Sequence, residues 1–283
     1  MPDLIDLALA EDIGSGDITA QFFTKPGALV RAKIVARQEG CLAGINIAEA
    51  VFGRVDSSLS VECKKKDGDL FEKSDCVLEV SGHAASILTA ERTALNFLQH
   101  LSGVATLARR FANEIAGTAT QILDTRKTTP GFRALEKQAA AAGGVRNHRM
   151  GLHDMFLIKD NHLATGLDTA SLQEMIDRAR AAHPEAKLEI EADTLEQVKK
   201  FYALRGVDFI LLDNMTRENL REAVRLCPPH IQLEASGGVN LSTVRDIAET
   251  GVHFISVGAI THSAPAVDFG LDFEPACSGN SQE

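Results

Sequence analysis

The stretch Leu188–Asn214 reads LEIEADTLEQVKKFYALRGVDFILLDN. It contains a short strand-like run, a helical segment at Leu195–Leu204, and a second run that ends at Asp213. A strand, a helix and another strand in this order predict two parallel strands joined by a right-handed crossover. This stretch therefore indicates an α/β fold with a parallel sheet.

The same alternation begins at Thr120 and continues almost to the end of the chain. The runs that predict strands are Gln121–Asp124, Met155–Lys159, Leu188–Glu191, Phe209–Leu212, Gln232–Ala235 and Phe254–Val257. The helical segments between them are Phe132–Ala142, Thr169–Ala182, Leu195–Leu204, Arg217–Leu226 and Leu241–Glu249. Most of the runs are continuously apolar, which is typical of parallel strands covered on both faces.

A residue suited to binding or chemistry stands at or just past the end of each run. These residues are Arg126, Lys159, Glu191, Asp213, Ser236 and Gly258. In a barrel all such ends converge on one mouth, whereas in an open doubly wound sheet only those near the switch point meet. We favour a barrel, and we expect it to be incomplete because six strands are counted instead of eight.

The first hundred residues have a different pattern, which predicts a small α+β unit. Its candidate strands are Leu29–Gln38, Leu59–Lys65 and Cys76–Ser81, and Ile45–Phe52 is a candidate helix. A further helix is predicted at Ile87–His100, with a break at Ser102–Gly103 and a continuation to about Ala116.

The composition is that of an acidic globular protein. A net charge of −10 over 283 residues argues against binding to nucleic acid or to a membrane surface. Five scattered cysteines without a C-x-x-C pair favour reduced thiols in a cytoplasmic protein over a zinc site or a disulfide framework. The start does not resemble a secretory signal, and no run approaches the roughly 20 apolar residues of a membrane span.

Positive charge is concentrated between Arg126 and Arg149. Six basic residues stand there against one carboxylate, Glu136, with His148 among them. The six are Arg126, Lys127, Arg133, Lys137, Arg146 and Arg149. Such a cationic island indicates a small, multiply anionic ligand, because arginine forks suit carboxylates and lysines suit phosphates. The alternatives are a solvated loop for the Arg-Lys pair and an internally satisfied imidazole for His148.

Charged residues at the strand ends suggest the chemistry. Lys159 ends its strand and needs an anionic partner, which is either a substrate or Asp160. Glu191 and Asp213 end adjacent strands, where they could bind magnesium together with a phosphate or stabilise a developing cation. The alternative for both is an ion pair with nearby Arg and Lys residues. For Glu189, a functional role and such an ion pair both stay open.

Two glycine motifs and one helix face complete the set of candidates. EASGG at Glu234–Gly238 and VGA at Val257–Ala259 follow the last two strands, where backbone N–H groups could approach a phosphate; ordinary turns are the alternative. The helix at Ile87–His100 carries a polar stripe that either faces solvent or faces a second subunit's site. The stripe consists of Arg92, Asn96, Gln99 and His100.

These motifs closely resemble the quinolinate phosphoribosyltransferase family, the carboxylating nicotinate-nucleotide pyrophosphorylases of NAD biosynthesis. The matching stretches are EDIGSGDIT (Glu11–Thr19), TAERTALNFLQHLSGVAT (Thr89–Thr106), DTRKTTPG (Asp124–Gly131), NHRMGL (Asn147–Leu152), LIKDNH (Leu157–His162), LLDNM (Leu211–Met215), EASGG (Glu234–Gly238) and ISVGAITHS (Ile255–Ser263). Gln138 and Val145 depart from the family's usual Tyr and Gly, and neither departure removes a charged ligand.

The resemblance implies an N-terminal open α/β sandwich at residues 1–103 and an incomplete α/β barrel of six or seven parallel strands at 104–266. It also implies that segment 267–275, near Phe269–Phe273, returns to the first domain as a strand, and that 276–283 is a frayed tail. A cytoplasmic homodimer with shared active sites is implied, and a higher oligomer is left open. The sister family of molybdate-transport operons and a non-catalytic phosphosugar-binding protein are the rival interpretations.

The resemblance also implies roles for individual residues. The quinolinate carboxylates would be held by Arg126, His148, Arg149 and Lys159, with Arg92 reaching in from the partner subunit. Phosphoribosyl pyrophosphate and its Mg²⁺ would be served by Lys127, Glu191 and Asp213, and the 5-phosphate by Ser236, Gly237, Gly258 and Ala259. Lys159, Glu191 and Asp213 would be the catalytic residues.

Overall fold

The computed structural model describes residues 3–163 and 168–274. The chain divides into two compact units, one formed by Met1–Leu107 with Ala264–Glu283 and the other by Ala108–Ser263. The tail predicted at 276–283 lies outside the described residues. Among the helices that are described, none is both long and apolar enough to cross a bilayer.

The first unit is built on an antiparallel sheet of four strands in the order β12-β1-β5-β3. The strands are β1 (Leu29–Ala36), β3 (Ser60–Cys63), β5 (Cys76–His83) and β12 (Phe269–Phe273), and β2 (Gly40–Cys41) pairs with β4 (Leu70–Phe71). The helices are α1 (Leu4–Ile13), α2 (Ile18–Phe23), α3 (Ile45–Val55) and the first part of α4 (Ala84–Glu114). Strand β12 pairs with β1, so the segment after the second unit contributes a strand to the sheet of the first.

The predicted helix break at Ser102–Gly103 was wrong, because α4 is continuous from Ala84 to Glu114. Both residues are small so that the helix can pack closely. A Cβ on Gly103 would lie 2.3 Å from the carbonyl oxygen of Pro265. The hydroxyl of Ser102 accepts from the backbone N–H of Ala43 at 3.1 Å. The break signal therefore reflected tertiary packing rather than a turn.

The second unit contains six parallel strands in the order β6-β11-β10-β9-β8-β7. They are β6 (Gln121–Leu123), β7 (Met155–Ile158), β8 (Lys187–Ala192), β9 (Phe209–Asp213), β10 (Gln232–Ser236) and β11 (Phe254–Ser256). Apart from the gap between β6 and β7, this order follows the chain around a circle. Beside the gap, Leu123 of β6 forms an isolated parallel bridge with Arg146, which lies in the crossover before β7. The incomplete parallel barrel is thus confirmed.

Helices follow the strands in the pattern that the sequence predicts. They are α5 (Arg133–Ala142), α6 (Asp160–Leu163), α7 (Thr169–Ala182), α8 (Leu195–Phe201), α9 (Arg217–Leu226), α10 (Val244–Ala248) and α11 (Ala259–His262). Helix α8 begins at a capping box, in which Thr194 and Gln197 satisfy each other's backbone N–H groups. Because every strand runs in the same direction, the carboxyl ends of all six lie at one edge.

Candidate active site

A cavity of about 410 Å³ lies at the carboxyl ends of the barrel strands. It is lined by Thr125, Arg126, Lys127, His148, Arg149, Leu157, Lys159, Glu191, Leu211, Asp213, Glu234, Ser236 and Ser256. Two cavities of similar size elsewhere in the unit lack this convergence of charges. One, of about 490 Å³, has Arg146 as its sole charged lining residue, and the other, of about 500 Å³, is lined mainly by apolar side chains. The strand-end cavity is therefore the candidate active site.

Eight of the residues predicted for the site line this one cavity. They are Arg126, Lys127, His148, Arg149, Lys159, Glu191, Asp213 and Ser236. The remaining glycine-motif residues, Gly237, Gly258 and Ala259, follow β10 and β11 at the same edge but are not among the lining residues. Arg92 belongs to α4 in the first unit, where its side chain is 57% exposed and lies 3.9 Å from Glu91.

The cationic island does not act as one patch. Arg126, Lys127 and Arg149 line the cavity, but the other three basic residues have structural contacts. Arg133 donates to the Thr128 hydroxyl at 3.1 Å and to the Met150 carbonyl at 3.1 Å. The remaining two occupy different surroundings: Lys137 is 1% exposed, and the guanidinium of Arg146 lies over the ring of Phe254. Only half of the charge that the sequence places together is available to a ligand in this cavity.

Lys137 belongs to a cluster that we call the Asp124 network, made of the buried Asp124 and Lys137, the exposed Asn147 and the backbone of His148. The Lys137 ammonium donates to the Asp124 carboxylate and, at 2.9 Å, to the His148 carbonyl. The Asn147 amide donates to Asp124 at 2.6 Å and to the Lys137 carbonyl at 2.8 Å. The His148 N–H also donates to Asp124, at 2.7 Å. Both oxygens of the Asp124 carboxylate therefore have partners, and the network fixes the backbone beside the cavity.

The side chain of His148 enters a second buried cluster, which we call the His148 triad, made of His148, Glu189 and Glu234. Its Nε2 lies 3.1 Å from an oxygen of Glu189 and 3.4 Å from an oxygen of Glu234. The two carboxylates are 0% and 2% exposed, and each has one buried oxygen without a hydrogen-bond partner among the described atoms. Glu189 stands on β8 and Glu234 on β10, on either side of β9.

The protonation of the triad follows from its geometry. Burial lowers the pKa of His148, but the hydrogen bonds and charges of Glu189 and Glu234 outweigh burial and raise that pKa to about 10. The Arg149 N–H donates to Nδ1 at 2.7 Å, so this nitrogen must present a lone pair and the ring proton sits on Nε2. The raised pKa favours an imidazolium, whereas the contact with the Arg149 N–H requires a lone pair on Nδ1. The two conflict, and the 2.7 Å contact favours the neutral ring, because an imidazolium would point one N–H at another. Burial, together with repulsion from Glu234, raises the pKa of Glu189 to about 7.

Two arginines face the cavity from the first crossover. The Arg149 guanidinium donates to the Met155 carbonyl at 3.1 Å. Burial and the neighbouring charge of Arg126 lower the pKa of Arg149. The buried Nε of Arg126 has no hydrogen-bond partner among the described atoms. Two like charges with an unsatisfied donor in a cavity favour the binding of an anion between them.

Carboxylates that line the same cavity form a second group. Lys159 donates to Glu191 at 2.8 Å, so the internal ion pair foreseen for this lysine is present, although with Glu191 as the partner. The lysine side chain is 47% exposed, which leaves it accessible from the cavity. Glu191, Asp193 and Asp213 each offer an oxygen within 4.8 Å of the others. Carboxylate oxygens at this spacing fit a magnesium ion, which prefers oxygen ligands.

Sequence reasoning left the role of Glu189 open and gave no role to Glu234 or Asp193. Glu189 and Glu234 each precede a predicted site residue by two positions, so both point to the barrel interior like Glu191 and Ser236. This period of two was the signal that could have identified them. Asp193 lies just beyond β8 and is exposed, and no pattern in the sequence distinguishes it from an ordinary loop carboxylate.

Comparisons with known proteins identify the family of both units. The family profile described as quinolinate phosphoribosyl transferase, C-terminal domain, matches residues 104–272, and the N-terminal domain profile matches residues 17–102. The chain is 40% identical to the probable nicotinate-nucleotide pyrophosphorylase [carboxylating] of Bacillus subtilis, over 95% of this chain and 92% of that one. It is 41% identical to the nicotinate-nucleotide pyrophosphorylase [carboxylating] of Mycobacterium leprae, over 95% and 96% of the two chains.

Similarity extends to solved structures. The nicotinate-nucleotide pyrophosphorylase of Francisella tularensis superimposes with a TM-score of 0.91 at 36% identity, covering 96% of this chain and 95% of that one. The profiles together span both units, and the relatives match over nearly their whole length. The chain therefore belongs to the quinolinate phosphoribosyl transferase family.

Proposed function

We propose that this protein transfers the phosphoribosyl group of 5-phosphoribosyl 1-pyrophosphate to quinolinate with decarboxylation, in NAD biosynthesis. The products are nicotinate mononucleotide, pyrophosphate and CO₂. The observation that carries the proposal is the single cavity whose lining contains both basic residues and carboxylates. A diacid and an activated phosphosugar together require both kinds of group. The names of the relatives favour this reaction over that of the molybdate-operon sister family.

The basic residues are assigned to quinolinate. Arg126 and Arg149 present forked donors, which match carboxylates through paired hydrogen bonds. Lys159 faces the same cavity and exchanges its bond with Glu191 for one with the substrate. His148 lines the same cavity next to Arg149 and supports the site without being assigned a substrate carboxylate. Holding both carboxylates orients the pyridine nitrogen towards the sugar, and such positioning supplies roughly 7–11 kcal/mol of a barrier in well-oriented reactions.

The second substrate is assigned to the remaining residues. The side chain of Lys127 packs against Gly258, where an added Cβ would lie 2.9 Å from the lysine Cδ. The Lys127 ammonium is assigned to neutralise charge on the departing pyrophosphate. Glu191 and Asp213 place negative charge where the sugar carbon becomes cationic. A magnesium ion held by Glu191 and Asp213, directly or through water, would supply positive charge to the pyrophosphate oxygens.

Backbone groups after β10 and β11 are assigned to the 5-phosphate. Ser236 lines the cavity, and Gly237 has a φ of +94°, a conformation that favours glycine. A Cβ there would lie 2.2 Å from the side-chain oxygen of Asn214, so the chain approaches closely at this point. Gly258 and Ala259 stand just past the end of β11, as Gly237 stands just past the end of β10. After the C2 carboxylate leaves as CO₂, Lys159 or water supplies the proton that replaces it.

We further propose that the protein acts as a cytoplasmic homodimer in which Arg92 completes the partner's quinolinate site. The support is the exposure of this arginine in the first unit and the family to which the chain belongs. Mixing Arg92→Ala with Lys159→Ala subunits would restore activity, because one site in each heterodimer would then be intact. Absence of recovery despite demonstrated subunit exchange would contradict a shared site.

The reaction itself is tested with purified protein, quinolinate and phosphoribosyl pyrophosphate. Release of CO₂ and pyrophosphate in equal amounts is the expected result. Nicotinate, which lacks one carboxylate, should be a far poorer substrate. The Lys159→Ala variant should lose activity, and the exposed helix residue Lys200 offers the matched control, Lys200→Ala. Pyrophosphate release without CO₂, or no reaction at all, would rule out the proposed activity.

A further inference from the structure

The His148 triad points to a role that differs from direct substrate binding. We propose that Glu189, Glu234 and His148 form a positioning unit for Arg149, and that the His148 ring acts on the diacid only through that arginine. This inference rests on the proposed function, because it assigns roles within the quinolinate site. It names two positioning residues, Glu189 and Glu234, that the cavity chemistry by itself leaves unexplained.

The first step is the occupancy of the imidazole ring. Nδ1 accepts the Arg149 N–H at 2.7 Å, and Nε2 lies 3.1 Å from Glu189 and 3.4 Å from Glu234. A ring has only two nitrogens, so no polar edge is left for a carboxylate of the substrate. Although His148 lines the cavity, a diacid there would meet only the carbon edge of the ring.

The second step is the rigidity of the support. Glu189 and Glu234 stand on two strands of one parallel sheet, with β9 between them. The backbone of His148 is held separately, since its N–H donates to Asp124 at 2.7 Å and its carbonyl accepts from Lys137 at 2.9 Å. Residue 148 is thus fixed through its ring and through its main chain. Groups that hold a binding side chain in place usually act through such supporting hydrogen bonds.

The third step connects this support to Arg149. The ring of His148 fixes the backbone nitrogen from which Arg149 extends, and the guanidinium is steadied by the Met155 carbonyl at 3.1 Å. Arg149 also shares the cavity with Arg126, whose charge repels it. Without a fixed backbone, the repelled guanidinium would turn away from its neighbour. The triad therefore keeps Arg149 in the cavity beside Arg126 despite their mutual repulsion, so that both charges face the diacid.

A double-mutant cycle on quinolinate binding tests the inference. Arg149→Ala, His148→Ala and the double variant are compared with the wild type by calorimetry, with phosphoribosyl pyrophosphate binding as the control for folding. We expect Arg149→Ala to weaken quinolinate binding by roughly 100-fold and His148→Ala by roughly 10-fold, with the double variant no weaker than Arg149→Ala alone. Additive losses would overturn the inference, because they would show that the ring contacts the diacid itself.

Variants of the carboxylates keep the test decisive if His148→Ala does not fold. Glu234→Gln and Glu189→Gln retain an oxygen that accepts from Nε2, so they should keep the KM for quinolinate within about threefold of the wild type. Glu234→Leu and Glu189→Leu should raise that KM roughly 10-fold while the KM for phosphoribosyl pyrophosphate is unchanged. A loss of kcat in the glutamine variants without a change in KM would overturn the positioning role and indicate proton transfer instead.

The failure of this inference is distinguishable from failure of the proposed function. If the wild-type protein does not bind quinolinate, the reaction and the inference both fall. If the wild type binds quinolinate and turns it over, but the cycle is additive, only the positioning role is lost.

Discussion

The Asp124 network and the His148 triad both contain buried charged side chains, yet the hydrogen-bonding groups of the two clusters are satisfied to different degrees. Asp124 accepts hydrogen bonds on both carboxylate oxygens, from Lys137, Asn147 and the His148 N–H. In the triad, Glu189 and Glu234 each keep one buried oxygen without a partner among the described atoms. Residue 148 belongs to both, through its backbone in the network and through its ring in the triad.

This difference shows which buried charges support the fold and which prepare the site. A buried ion pair whose hydrogen bonds are complete gains nothing from a ligand, so its value is structural. A pair of buried carboxylates with one shared donor is costly to maintain, and such sites are usually retained for function. The location agrees, because Glu234 lines the cavity whereas Asp124, Lys137 and Asn147 are absent from its lining.

The largest expected effect separates two lysines of the same crossover. Lys137 is 1% exposed and pairs with the fully buried Asp124, so Lys137→Ala leaves an uncompensated buried charge. We expect the free energy of unfolding to fall by about 3–5 kcal/mol, measured by urea titration. Lys127→Ala is the control, because this side chain is exposed and its removal should change stability by less than about 0.5 kcal/mol. Equal stability losses in the two variants would break the comparison.

The reverse contrast is expected for activity. Lys127 lines the cavity, and the proposed role is to neutralise the departing pyrophosphate. Loss of one such charge should lower kcat/KM by roughly 100-fold, or about 2.7 kcal/mol of transition-state stabilisation. Steady-state kinetics of Lys127→Ala with both substrates provides the measurement, and Lys200→Ala again serves as the matched control. Unchanged kinetics would remove Lys127 from the site.

Much of the fold could be predicted because hydrophobic periodicity is a local property. All six parallel strands and the helices that follow β8 and β9 lie where the alternation of Leu188–Asn214 and its neighbours predicts them. The break at Ser102–Gly103 was predicted wrongly, since a glycine selected for close packing has the same sequence signal as one that ends a helix. Helices α1 and α2 were not predicted, because their apolar residues do not form a clear stripe.

The site was less predictable than the fold, for a physical reason. The sequence shows how many charges a segment carries but not which way each side chain turns. Arg126 and Arg149 turn into the cavity, whereas Lys137 of the same segment turns towards Asp124. Only the three-dimensional structure distinguishes them. The partners of the His148 ring are Glu189 on β8 and Glu234 on β10, which stand 45 positions apart in the sequence.

The smallest expected effect concerns pH. Burial, reinforced by Glu234, raises the pKa of Glu189 to about 7 from an ordinary 4.5. A carboxyl group whose pKa is raised by folding stabilises the folded protein at pH values below 4.5, its pKa in the unfolded chain. This stabilisation is lost as the pH rises from 4.5 through 7. The glutamine of Glu189→Gln cannot ionise. The free energy of unfolding of this variant minus that of the wild type should therefore be larger at pH 8 than at pH 5, by on the order of 1 kcal/mol. Urea titrations at both pH values measure the difference, and Glu185→Gln, an exposed residue just before β8, is the control. A difference that does not change with pH would mean that the triad carries no strained charge, and the contrast with the Asp124 network would then rest on geometry alone.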